Sequence, residues 1–492
     1  MPAPAFEDML ASLDAGVRLP AAVAAETREV MALGRKFAHE VVRPRALDLD
    51  RKLHEDPDHL DWEFVNTANE WGLYTLWLPK IFGGAGFNFL SMAPFIEEVS
   101  AQCLGMANLI GVHYLGVGTL SASWNAQVMR RVFADVVKGE KTGKPCLISL
   151  AITEPSAGTD AEEVDLMDRG EMSCRITRVD GGYKVNGSKI FISNGHLSTW
   201  HMTIGFEDLA RPSETAVMLA VKTGTPGFSF GRIERKMGQK VCPASVLLFD
   251  DCFVPDELVA LDRRQCAGLS RPHRETTMQV IDYVVSTSRA GVGAFGTGAA
   301  RGAFEEALAF ASETVVDGTL LVNHEWAQCL LAEMYRNAAL ARLTYMETNY
   351  ANFLYGFFKI MARAPFYHAM KLTPMPVMER ISGVFGSRAA TAVFRRTHLE
   401  NQAESEARRT SGWASLCKFT ATDLAVQNGQ LALTLMGQAG LRQDRRVEKH
   451  LRDAKLLQIY EGTNQLNRLN LFKCLANGDC AQAEPFCDCA PA

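Results

Sequence analysis

Gln458-Ile459-Tyr460-Glu461-Gly462-Thr463-Asn464-Gln465-Leu466-Asn467-Arg468 is the stretch on which the reading of this chain turns. It follows a charged helical segment ending Arg452-Asp453-Ala454-Lys455. Glu461 followed by Gly462 breaks that pattern, and glycine permits a tight turn and close approach of a ligand to the backbone. Thr463, Asn464 and Gln465 then offer short polar groups before the next apolar run. A carboxylate on such a turn can project into a cleft instead of lying on a helix face. Read alone, the stretch is more simply a surface glutamate beside a helix-ending glycine.

Two further segments change that balance. One is Ala151-Ile152-Thr153-Glu154-Pro155-Ser156-Ala157-Gly158-Thr159-Asp160; the other is Val185-Asn186-Gly187-Ser188-Lys189-Ile190-Phe191-Ile192-Ser193-Asn194-Gly195. With the Tyr460-Glu461-Gly462-Thr463 turn, these resemble in order the acyl-CoA dehydrogenase family of flavoproteins. The resemblance runs from about residue 25 to about residue 473.

Bulk properties agree with a large globular protein. The chain has 492 residues, 47% of them hydrophobic and 22% charged, enough for two or three domains. A net charge of −5 argues against nucleic acid as the main partner. Met1-Pro2-Ala3-Pro4-Ala5-Phe6-Glu7-Asp8 lacks a basic and apolar leader, and no run of 18 apolar residues appears, so a cytoplasmic protein is expected. The mitochondrial matrix stays open for a eukaryotic source. Eight of the 12 cysteines are scattered, as buried thiols are; Cys474, Cys480, Cys487 and Cys489 crowd the end in a spacing that matches no metal site, so no metal is expected.

Along the chain, residues 1–24 read as a loosely packed arm. Val30, Leu33, Phe37, Val41 and Val42 recur at helical spacing, and Met92–Tyr114 and Ser121–Val137 read as further helices. Ile81 to Phe87 is a glycine-rich loop shaped for packing, not a nucleotide loop. From Cys146 the pattern turns to strands, with Gly181-Gly182 and Asn186-Gly187 as hairpin-type turns. Helical periodicity returns after Leu258: Val280–Phe310, rich in small residues that let helices approach closely, then Asn323–Tyr350 and Ser415–Met436. The expected class is α+β and multidomain. It comprises an N-terminal helical domain (1–145), a central β-barrel or sandwich (146–258), a C-terminal four-helix bundle (259–475) and a Cys-rich tail (476–492).

What the resemblance implies is specific. The reaction is α,β-dehydrogenation of an acyl-CoA thioester to a 2,3-enoyl-CoA, with FAD as cofactor because no side chain accepts hydride. Glu461 matches the base that removes the α-proton, while flavin N5 takes the β-hydride. A glutamate is a weak base at its ordinary pKa of roughly 4.3, so burial should raise it. Cofactor contacts carry over to Leu150, Ile152, Thr153, Gly158, Thr159, Phe191, Ser193, Gly437, Thr463 and Gln465. Phe191 stands where many members have Trp. Substrate contacts carry over to Thr159, Arg289 and Gly462. Some members place the base at the start of the long C-terminal helix. Here that position is Ser288, poorly suited to the task, which favours Glu461. Implied partners are the acyl-CoA, electron-transfer flavoprotein and further copies in a tetramer or dimer. An oxidase using dioxygen and a non-catalytic binding or assembly protein are the competing readings.

Three departures stand out. Family residues near the FAD adenosine are largely replaced: Thr314 for Arg and Asp317 for Phe, with Gly318 and Gln328 kept, and Thr434, Gly437 and Gln438 further on. An insertion at about 350–407 carries, from Met346 to Leu399, seven Lys or Arg against two Glu. It reads either as a surface segment contacting a membrane or, preferably, as a helical hairpin on a neighbouring subunit, with Val377–Phe394 a helix. The tail of clustered thiols is expected to lie outside the packed domains.

Overall fold

The computed structural model describes residues 10–400, 402–476 and 485–486. Its N-terminal helices are Ala11–Arg18, Ala21–Phe37, Arg43–Glu55, Trp62–Glu70, Met92–Ser100, Leu104–Ala122 and Ala126–Thr142. The last illustrates how sequence sets each one. Asn125 accepts from the Val128 amide at 3.3 Å to cap it, and Val128, Met129, Val132, Phe133 and Val136 form its buried stripe. Helix Leu104–Ala122 is buried on nearly every side and forms the domain's centre.

Two expectations for this domain are corrected. The arm is helical from Ala11, with Ala11 and Ala15 buried beside Phe353 and Leu354, and the Ser12 amide bonded to the Glu347 carboxylate at 3.1 Å. The helix expected from Met92 to Tyr114 breaks after Ser100, where Gln102 turns inward to accept hydrogen bonds from Arg43 (3.0 Å) and Arg446. The glycine-rich loop behaves as expected: Ala85, Gly86 and Phe87 donate to the carbonyls of Thr75, Leu78 and Leu76 at 3.0–3.1 Å.

The central domain holds eight strands: β1 (Leu147–Ala151), β2 (Arg175–Val179), β3 (Gly182–Ser193), β4 (Ser198–Phe206), β5 (Ala216–Lys222), β6 (Phe228–Ile233), β7 (Ala244–Pro255) and β8 (Val259–Leu261). The order is β6-β7-β3-β2-β4-β5-β8, with β1 parallel to β4. Only Arg175 and Phe206 pair between β2 and β4, so two four-stranded halves meet at one corner. Between them lies a sandwich core that includes Ile176, Tyr183, Val185, Leu219, Val221, Leu247 and Phe249. The turn between β2 and β3 falls at Asp180-Gly181. Asn186-Gly187, expected as a second turn, lies inside β3 as a bulge; the Asn186 side chain pairs with Asp251 of β7 at 2.8 and 3.0 Å, displacing the ladder there.

The C-terminal bundle comprises His273–Glu313, Glu325–Tyr355, Glu404–Met436 and Val447–Leu457, followed by Asn464–Leu471. The insertion forms Ala364–Leu372, Met375–Phe385 and Arg388–Leu399. The single helix expected over Val377–Phe394 is split because Ser387 caps a new one, accepting from the Ala390 amide at 3.2 Å. The insertion packs on its own N-terminal domain and the neighbouring sheet. Tyr367 and Lys371 bond Glu26 at 2.6 and 2.8 Å, and buried Arg395 donates to the carbonyls of Ser123 (3.1 Å) and Ala260 (2.6 Å). Phe486 packs against Leu166 and Leu466, so part of the tail returns to the fold; Cys480, Cys487 and Cys489 lie outside the described residues. Among the described residues, no helix is long and apolar enough to cross a membrane.

Helix His273–Glu313 is the shared wall. Glu97 accepts from Arg301 (3.0 Å), Arg342 (3.0 Å) and Tyr345 (2.6 Å), and Glu98 from Arg301 and Arg35 (both 2.8 Å). The small residues of this helix allow the contact: a Cβ on Gly298 would stand 2.5 Å from Ser100 Cβ and 2.6 Å from the Glu97 carbonyl. Gly298→Val should therefore force the N-terminal domain off the bundle. By calorimetry its unfolding midpoint should fall by the equivalent of about 1–3 kcal/mol or more, the usual cost of overpacking.

Candidate active site

Glu461 and Gly462 follow helix Val447–Leu457 with left-handed φ values of +56° and +71°. Glycine is required at 462, because a Cβ would meet Leu466 at 2.8 Å and Arg289 at 3.2 Å. A glutamate in that conformation is strained and persists only where its surroundings hold it. Here three elements do so. The Glu461 carbonyl accepts from Arg289 Nε and Asn467 Nδ2, both at 3.2 Å. The Gly462 carbonyl accepts from Lys418 Nζ at 2.7 Å and Asn467 at 3.0 Å. Thr463 caps helix Asn464–Leu471 by accepting from the Leu466 amide at 3.2 Å.

The turn sends the Glu461 carboxylate into the junction of two apolar cavities. The larger, about 150 Å³, lies between helix Leu104–Ala122, the ends of β1 and β3, and helix His273–Glu313. The smaller, about 70 Å³, is lined by Met167, Ile204, Val217, Thr277 and Ile281. Leu150, Ile152, Val284, Glu162 and Glu461 line both. Ser288 donates to Glu461 Oε2 at 2.5 Å.

Opposite the carboxylate, the Ile190 amide bonds the Thr153 carbonyl at 2.9 Å and so joins the end of β1 to β3. This places Thr153, Phe191 and Ser193 on one wall of the larger cavity. Phe191 has φ +55° and is 54% exposed, presenting an aromatic face on strained backbone. The loop is pinned by a fully buried pair: Lys189 Nζ bonds Glu154 Oε1 (2.7 Å) and the Ile152 carbonyl (2.8 Å), and Ser173 and Cys174 complete the other carboxylate oxygen.

The structure thus gathers Leu150, Ile152, Thr153, Phe191, Ser193 and Glu461. The remaining candidates sit elsewhere. Gly158 and Thr159 line neither cavity; they lead into the short helical turn Thr159–Glu162, whose last residue lines both. Arg289 is buried beneath the turn, Gly462 is buried within it, and Gln465 is exposed on the following helix. Gly437 ends helix Glu404–Met436 at the far end of the bundle. The hairpin Val315–Val316/Thr319–Leu320, which contains Asp317 and Gly318, lies roughly 40 Å from Ser288 along the long helix at 1.5 Å per residue.

Two residues escaped the sequence reading. Glu162 sits in an acidic run with no periodicity to say which carboxylate turns inward. Lys418 offered a signal: a lone cation in the apolar run Leu416-Cys417-Lys418-Phe419. The electrostatics separate the two carboxyls. Burial, with the charge of Glu461 behind it, pushes Glu162 up to about 8. Burial also raises Glu461, but the Ser288 hydroxyl and the charges of Arg289 and Lys418 oppose the shift. Lys418 itself is pushed down to about 7, chiefly by burial. Burial thus raises both carboxyls, and only at Glu461 does a hydroxyl donor, Ser288, oppose the shift.

The fold and site together define a three-domain flavoprotein oxidoreductase. Within that class, the chain belongs to the acyl-CoA dehydrogenase family: models of its N-terminal, middle and C-terminal domains match residues 24–140, 149–252, and 278–352 with 388–475. The chain is 25% identical over 445 residues to an acyl-CoA dehydrogenase of Bacillus subtilis, covering 90% of this chain and 96% of that one. It is 25% identical over 447 residues to a short-chain-specific acyl-CoA dehydrogenase of Clostridium acetobutylicum, covering 90% and 97%. Butyryl-CoA dehydrogenase from Megasphaera elsdenii shares the fold with a TM-score of 0.68 at 22% identity, over 92% of this chain and 98% of that one.

Glu162 binds its extra proton only in the fold, since an unfolded glutamate titrates at roughly 4.3. Its contribution to stability is whole below that value and is lost as pH rises through about 8. Glu162→Gln, neutral throughout, should show a smaller fall in unfolding midpoint than the parent between about pH 6 and about pH 9, measured by thermal melts across that range.

Proposed function

We propose that this protein catalyses the α,β-dehydrogenation of an acyl-CoA thioester, with Glu461 removing the α-proton. The observation that carries this reading is the Glu461 carboxylate, fixed by a strained turn and facing Thr153, Phe191 and Ser193 across an apolar cleft. Ser288 occupies Oε2, and Oε1 makes no hydrogen bond among the described residues, so Oε1 is the atom that takes the proton. Apolar walls exclude water and hold the base above an ordinary carboxylate, as abstraction of a weakly acidic proton requires.

The residues present fit FAD at its ring end: Phe191 offers a face for stacking, and Thr153 and Ser193 offer hydroxyls beside it. When bound, FAD supplies the acceptor for the hydride leaving the β-carbon. Residues matching the family's adenosine contacts lie at the opposite end of the bundle, which supports a cofactor site completed by a second copy in an oligomer. Membership of the family supports electron-transfer flavoprotein as the acceptor; oxygen uptake without a protein acceptor would instead identify an oxidase. Leu372, Val384 and Val393, exposed on the insertion beside Arg380 and Arg388, are the features that support contact with an anionic membrane surface.

The test is anaerobic bleaching of bound flavin by a panel of acyl-CoAs. Glu461→Gln should slow bleaching by roughly 10²–10⁴-fold while retaining flavin. Equal bleaching by both proteins overturns the assignment. Ser288→Ala removes a hydrogen bond that favours ionised Glu461, so the acid limb of the kcat/KM profile should move to higher pH.

A further inference from the structure

A third apolar cavity, about 400 Å³, lies between the insertion and the N-terminal domain. Trp77, Val117 and Met129 wall it on one side; Phe366, Met378 and Ile381 of the insertion wall it on the other. Its conspicuous charge is already engaged, with Lys80 Nζ on the carbonyls of Lys371 (2.9 Å) and Thr373 (2.8 Å). His398 is likewise turned to the Phe394 carbonyl (2.9 Å) and stacked on Trp124. A chamber so lined suits an uncharged apolar group.

The chamber backs directly onto the catalytic cavity. Phe89, Phe357 and Phe358 line both. Phe89 and Phe358 stack at 4.2 Å, and Phe357 meets Phe358 edge-on at 4.9 Å, forming an aromatic partition. A small gap lined by Met92, Thr287, Gly291 and the same Phe89–Phe358 pair lies beside it. The catalytic cavity alone is below the usual range of ligand pockets, roughly 300–1,000 Å³; joined to the chamber it enters that range. The C-terminal family match is interrupted over residues 353–387, so this chain's own added segment forms the outer wall.

We propose that the insertion extends the acyl site, and that the chamber receives the distal part of a long apolar acyl group whose thioester lies at Glu461 and whose chain passes the Phe89–Phe358 partition. This assignment of substrate class rests on the dehydrogenase reading above. The rings of Phe89 and Phe358 are the groups that stand between the two cavities.

The test is calorimetric binding of butanoyl-, octanoyl- and hexadecanoyl-CoA to the flavin-loaded Glu461→Gln protein, whose turnover is slowed. Each is repeated with Ser121→Phe or Ile381→Trp, which fill the chamber from opposite walls at positions that do not line the catalytic cavity. Hexadecanoyl-CoA should bind about tenfold or more tightly than butanoyl-CoA, and each filling variant should lose about tenfold or more for hexadecanoyl-CoA while staying within about twofold for butanoyl-CoA, as burial of methylenes requires. Butanoyl-CoA binding as tightly as hexadecanoyl-CoA overturns the extension and leaves the dehydrogenase reading intact. So do fillers that change neither ligand or weaken both alike. The unfilled protein's ladder decides the matter should a filler lose its flavin. Failure of every acyl-CoA to bind overturns the dehydrogenase reading, and the extension with it.

Discussion

The left-handed turn at Glu461-Gly462 is the constraint from which the rest of the site follows. Its backbone carbonyls face the protein interior, where unpaired oxygens are costly. Arg289, Lys418 and Asn467 satisfy them from three separate elements. The cost of burying the Lys418 ammonium is offset by two oxygens at 2.7 Å, the Gly462 carbonyl and Asn464 Oδ1. Because the backbone is held at both ends, the direction of the carboxylate is set by the turn and not by side-chain rotamer choice. The long bundle helix contributes to both aspects: Arg289 braces the backbone from below, while its neighbour Ser288 bonds the carboxylate from the side.

The division of labour among domains follows from this. The bundle fixes the Glu461 carboxyl, the sheet fixes the aromatic and hydroxyl wall opposite it, and the N-terminal helices close the cleft. Neutral Glu162 belongs to none of these motifs, yet it decides how charge is distributed at the junction. Its Oε2 is buried without a hydrogen bond and lies 3.9 Å from Arg289. A proton there lessens repulsion between the two carboxyls across the cleft.

Much of this was legible in the sequence, for identifiable reasons. The α–β–α order showed because periodicity changes sharply near Cys146 and Leu258. Glu461, Thr153, Phe191 and Ser193 were legible because short polar and glycine-rich turns carry local signatures. Other features depend on contacts distant in the chain. Asn186-Gly187 has the composition of a hairpin turn, but Asp251 on the opposing strand converts it into a bulge. Gln102 ends a helix that its local pattern would continue, because arginines at 43 and 446 reach it. The packing of Arg395 on Ser123 and Ala260 likewise cannot be inferred from a run of basic and apolar residues. Helix starts were misplaced for a simpler reason: His273 and Glu404 begin on polar turns that precede the apolar stripe.

The seam between Glu97 and the bundle has a consequence for how the chain is made. Glu97 and Arg301 are 204 residues apart. At roughly 5–20 residues per second of synthesis, the carboxylates at 97 and 98 wait on the order of 10–40 s for the guanidinium that joins them to the bundle. Arg342 and Tyr345 arrive later still. Through that interval the glycine-lined surface that will cover Ser100 does not exist. The first domain leaves the ribosome before the groups that complete this seam exist. A chain halted after its sheet is an open half-structure, with its final wall still to be translated.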